Sequence, residues 1–115
     1  MKKAKKTSEN YLKRKPARVE DIEWSKNDDN IVTLDIENKG FFNKLAQRLL
    51  KKPRVTHIHL DEFGSFVWCK MDGEMDIIAI GKLVEAEFGD KAKPLYERLA
   101  KYFRILDSYH FVIWK

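Results

Sequence analysis

The chain has 115 residues, 43% of them hydrophobic, with 23 Lys and Arg against 18 Asp and Glu. That length and composition suit one compact domain with a modest core and exclude a second domain of ordinary size. The single cysteine, Cys69, excludes an intrachain disulfide or a Cys-rich zinc cluster and points to a cytoplasmic protein held by packing. No apolar run exceeds four residues, which argues against a membrane span and against the core of a secretory signal peptide.

The formal charge of +5 is unevenly spread. Residues 1–18 carry Lys2, Lys3, Lys5, Lys6, Lys13, Arg14, Lys15 and Arg18 against Glu9 alone, and the remaining chain is slightly acidic. Residues 1–18 lack apolar periodicity and are interrupted by Pro16, so the expectation is a flexible basic arm before a single domain over 19–115. Ile22-Glu-Trp24 alternates like a short first strand, and Asn27 to Asn30 is a cluster of turn formers. Val32, Leu34 and Ile36 then share one face of a half-buried second strand.

After Gly40 the period changes. Phe41, Phe42, Leu45, Leu49 and Leu50 recur at helical spacing, which predicts an amphipathic helix over 39–52 ended by Pro53. Residues 54–60 alternate again as a third strand, with Thr56, Ile58 and Leu60 on one face and Val55, His57 and His59 on the other. Three helices follow. Asp61 is a candidate N-cap for residues 62–71, and Asp72-Gly73 gives that helix its stop. Asp76 is a candidate N-cap for a helix reaching Phe88, in which Gly81 implies close approach of another backbone. The third helix is expected from Asp90 to Asp107 with Pro94 in its first turn, and the apolar end 111–114 is expected to pack back on the domain. The fold expected is α+β: a three-stranded antiparallel sheet and a three-helix bundle, winged helix-turn-helix-like, with an extra helix between strands 2 and 3.

Catalytic signals are weak. His57 and His59 share a strand face, yet a metal site needs further ligands that the sequence does not supply, so no metal and no cofactor is expected. Cys69 reads as a small buried hydrophobe rather than a nucleophile, and no hydrolase, P-loop or dinucleotide motif is present. The chain is therefore expected not to be an enzyme. Nucleic-acid binding is disfavoured by the near-neutral domain, although a winged-helix DNA-binding or regulatory protein is the alternative reading. The third strand is more suggestive, because an edge strand can accept a peptide as an added strand. Its outward face (Val55, His57, His59) and the third helix (Tyr96, Leu99, Phe103) are the candidates for a peptide cleft, with Thr56 and His57 as backbone partners. The same edge would allow a homodimer.

Ile58 to Trp68, followed by Asp72-Gly73, Ile77, Ile80 and a helix ending near Phe88, resembles the family of the coenzyme PQQ synthesis protein D. The matching positions are Leu60, Asp61, Gly64, Val67, Trp68, Asp72 and Gly73, within a likeness covering about residues 31–113. The resemblance implies a non-catalytic recognition element for ribosomally made, post-translationally modified peptides. Such a module binds the leader segment of a precursor peptide against the third strand, beside the third helix, and presents it to a modifying enzyme, often of the radical SAM type. The 39–52 segment and the lysine-rich arm depart from the family pattern.

Overall fold

The computed structural model describes residues 9–37 and 55–115. Among them the chain is α+β, with a three-stranded antiparallel sheet, a two-stranded sheet and four α-helices. The order is α1 (Glu9–Leu12), β1 (Pro16–Arg18), β2 (Glu23–Lys26), β3 (Val32–Glu37), β4 (Val55–His59), α2 (Glu62–Lys70), α3 (Ile77–Phe88), a 3-10 turn (Gly89–Ala92), α4 (Leu95–Ser108) and β5 (Val112–Trp114). The helix expected over 39–52 lies outside the described residues. No helix among the described residues is long and apolar enough to cross a membrane.

The larger sheet runs β2-β3-β4, with Trp24 opposite Leu34 and Leu34 opposite Ile58. The turn between β2 and β3 is built by Asn27, whose Oδ1 accepts the amides of Asp29 and Ile31, while Asn30 takes a left-handed conformation at φ 64°. Alternation puts Val32 and Leu34 wholly inside, against Val67, Trp68 and Met71 of α2 and its end, Ile77, Ile80 and Val84 of α3, and Leu99 and Phe103 of α4. Burying each such aliphatic side chain contributes about 1.5–3 kcal/mol before entropy costs.

Local chemistry sets the helix limits. Asp61 Oδ1 accepts the Gly64 amide at 2.7 Å and Asp76 Oδ1 accepts the Ala79 amide at 2.8 Å, so both expected N-caps are formed. Gly73 takes φ 80° after α2, in a turn where Asp72 Oδ1 accepts the amides of Glu74 and Met75. Those amides, the Glu74 N–H foremost, hold the Asp72 carboxyl below its usual range. Gly81 does admit a close neighbour, but it is a side chain and not a backbone. A Cβ there would stand 2.6 Å from the Tyr96 ring.

Two expectations are corrected. The third helix does not run unbroken from Asp90. Lys93, ahead of Pro94, is extended at ψ 145°, because the proline ring disfavours the helical region for the preceding residue, and α4 begins at Leu95. The flexible arm does not extend to residue 18, because the chain is folded onto the domain from Glu9 onward. Pro16, Ala17 and Arg18 pair antiparallel with Trp114, Ile113 and Val112, which is how the apolar C-terminal end packs back. Pro16 and Ala17 are buried, the Arg14 carbonyl accepts the first amide of α3 from Ile77, and the Pro16 carbonyl accepts the Gly73 amide. Arg18 donates through Nη1 to the carbonyls of Trp68 and Cys69 at the C-terminal end of α2, a place that favours a cation.

Candidate functional site at the border strand

β4 closes the larger sheet, and among the described residues no strand pairs with its second side. The Leu60 amide donates to the Val32 carbonyl at 2.9 Å, which sets the phase of the β3–β4 ladder. In an antiparallel pair, bonded and non-bonded positions alternate. The main-chain groups of Thr56, Ile58 and Leu60 therefore point into β3, and those of Val55, His57 and His59 point away from it. At the end of the ladder Ser65 is spliced in: its Oγ accepts the Val32 amide at 2.8 Å and donates to the Leu60 carbonyl at 3.3 Å. This bond ties β3, β4 and the start of α2 together.

The two faces of β4 differ. Val55, His57 and His59 lie on the face turned from the helices, beside Glu37, Asp35 and Thr33. His57 Nδ1 is 2.6 Å from Asp35 Oδ1, and His59 Nδ1 is 2.8 Å from Thr33 Oγ1. Each imidazole is thus held across the ladder by its own partner. Among the described residues no group of three or more His, Cys, Asp or Glu side chains is arranged to hold a metal ion.

On the helix-facing side, Ile58 sits opposite the fully buried Leu34 yet is 36% exposed. Two contacts position α4 relative to the sheet. Tyr102 donates its hydroxyl to the Gly64 carbonyl at 2.8 Å, where a Cβ on Gly64 would also meet Leu60, just past the end of β4. Burial pushes the Tyr102 phenol far above its ordinary range, so it stays a donor. Beyond the other end of α4, Phe111 lines a shallow cleft with Ile36 and Glu37 of β3, whose partners are Thr56 and Val55. The flank of α4 between these contacts carries Ile105 and Tyr109, three and seven residues after Tyr102, and both are exposed, at 47% and 63%. Tyr109 is stacked on Phe111 at 5.5 Å. Ile58 on β4 and Ile105 and Tyr109 on α4 are thus exposed apolar side chains.

The structure brings Val55, Thr56, His57 and His59 together on β4 and places the three helix candidates elsewhere. Leu99 and Phe103 are fully buried in the core. Tyr96 covers Gly81 and donates to the Ile78 carbonyl at 3.3 Å, so it serves the α3–α4 contact. The exposed large apolar residues at this end of the chain are instead Ile105 and Tyr109, and β4 itself exposes Ile58. Their signal in the sequence is faint: 98, 102, 105 and 109 form a stripe adjacent to the core stripe of α4, and an apolar Ile105 interrupts an otherwise charged surface.

The chain matches no protein-family model, and neither a curated protein nor a solved structure matches it significantly.

Proposed function

We propose that this chain is a non-catalytic peptide-binding module that takes the leader segment of a ribosomally made precursor peptide as a fourth strand on β4 and presents it to a modifying enzyme, of the radical SAM type. One observation carries the reading: the outward main-chain groups of His57 and His59 on a border strand that also exposes Ile58, with Ile105 and Tyr109 exposed on α4. The ladder supplies affinity without regard to sequence, and the exposed apolar residues select alternate side chains of the visitor. Each added backbone bond contributes about 0.5–1.5 kcal/mol net, against the cost of ordering a flexible segment, so binding of moderate strength is expected. Strands followed by three helices also suit a winged helix-turn-helix plan, with α4 as its third helix; in this reading that helix forms a wall of the groove. Bond making and breaking belong to the partner enzyme.

Amide hydrogen exchange tests the proposal with a synthetic leader from a short precursor encoded beside this chain. Added peptide should slow exchange at His57 and His59 and leave Thr56 and Ile58, already bonded to β3, nearly unchanged. Protection that appears elsewhere and spares His57 and His59 would remove β4 as the binding edge.

A further inference from the structure

α4 carries a second surface on the flank opposite Ile105 and Tyr109. There Arg104 lies over the Tyr11 ring, 5.3 Å from its centroid. Arg14 lies over Trp114 at 4.1 Å and over Tyr11 at 5.7 Å, and the two rings meet edge to face at 5.7 Å. Two guanidinium groups thus lie over one aromatic pair. Both arginines are exposed, and among the described residues no carboxylate forms an ion pair with either. Lys13 and Lys15, also exposed, add to the positive potential. Asp107 stands on this flank as well, where it accepts the Trp114 indole N–H at 3.3 Å.

Stacking immobilises a guanidinium while leaving its N–H edge turned to water, and that planar edge matches a carboxylate through two parallel bonds. We infer that Arg14 and Arg104 form a dock for an acidic segment of a partner protein, each taking a carboxylate edge-on while Tyr11 and Trp114 hold the guanidinium planes. A duplex suits the surface less well, since nucleic-acid binding needs a run of phosphate contacts. Here the cations are gathered at one place with Asp107 among them, and Glu23, Asp35 and Glu37 line the outer face of the larger sheet. The dock lies on the flank of α4 away from Ile105 and Tyr109 and does not depend on peptide capture at β4.

Fluorescence anisotropy of the full chain with a labelled octapeptide of alternating Glu and Gly tests this, with the Gln-Gly octapeptide and a short DNA duplex as comparisons. The Glu peptide should bind and the Gln peptide should not. Arg14→Gln and Arg104→Gln should each weaken binding about tenfold, the loss expected for a charged hydrogen-bonded pair. Arg104→Lys, which keeps the charge without the fork, should lose most of that factor. Replacing Lys2, Lys3, Lys5 and Lys6 by Gln should leave the dependence on both arginines intact. Equal binding of the Glu and Gln peptides, or arginine variants that bind like the unaltered chain, would overturn the inference. Tighter binding of the duplex at the same salt would assign the surface to nucleic acid instead. Circular dichroism checks the variants, and should Arg14→Gln unfold, Arg104→Gln on the helix surface decides.

Discussion

The two sheets treat their main-chain groups in opposite ways. In the smaller one, β1 pairs with β5 on one side, Ala17 bridges to Asp72 on the other, and the amides of Arg18 and Gly73 link the strand to the end of α2. In the larger one, among the described residues, only β3 pairs with β4, and the residues of β4 from Thr56 to His59 are exposed. A short strand enclosed on both sides contributes to stability, while a border strand in a well-packed sheet keeps directional bonding capacity for something else. Trp68 lies fully buried between these regions: its ring meets Trp24 of β2 at 6.2 Å, and its carbonyl receives Arg18 of β1.

The sharpest way to break that contrast is Trp68→Ala. It should cost about 3–5 kcal/mol by chemical denaturation and unfold both sheets in one transition. Two separate transitions would show that the sheets are independent. Ser65→Ala comes next, at about 1–3 kcal/mol, because it strands the buried Val32 amide and loosens β4 from α2. Paired proline substitutions then separate stability from binding. Thr56→Pro removes an amide bonded to β3 and should lower stability by about 1–3 kcal/mol. His57→Pro removes an outward amide and should change stability by less than about 1 kcal/mol while abolishing capture of the leader peptide in a titration. Similar melting temperatures for the two variants would contradict the ladder phase derived from Leu60 and Val32.

The smallest expected effect is on acid stability. The Asp72 carboxyl is held below its usual range chiefly by the Glu74 amide, so the folded state favours its ionised form. Its contribution is complete above the ordinary carboxylate range and is lost as pH falls through the lowered folded value. Asp72→Asn should therefore flatten the acid limb of a stability profile by lowering its neutral plateau slightly, with little change at low pH, where the carboxyl is protonated. An acid limb that keeps its slope would mean that other carboxylates set it.

Much of the scaffold is legible in the sequence because its signals are local. Alternation at Val32, Leu34 and Ile36, caps at Asp61 and Asp76, and the Asp72-Gly73 stop each act within a few residues. The misread parts depend on distant partners. Three residues, Pro16 to Arg18, are too short to show a period, and lysines around them resemble a solvated arm; only β5 and the end of α2 make them a strand. At the candidate site, alternation correctly separates the two faces of β4. It does not tell which side chains of α4 the tertiary packing buries, so Tyr96, Leu99 and Phe103 are named although Leu99 and Phe103 fill the core and Tyr96 covers Gly81. Those roles are set by contacts between residues far apart in the chain.

The antiparallel register that sets Pro16 against Trp114 also fixes how the molecule responds to mechanical load. Traction applied at Lys15 and Lys115, whose backbone groups are themselves joined, bears on the β1–β5 ladder at its open end and peels its bonds one after another rather than shearing them together. Such a pull meets the weakest loading geometry of that ladder first, while β1 stays tied on its other side to the end of α2.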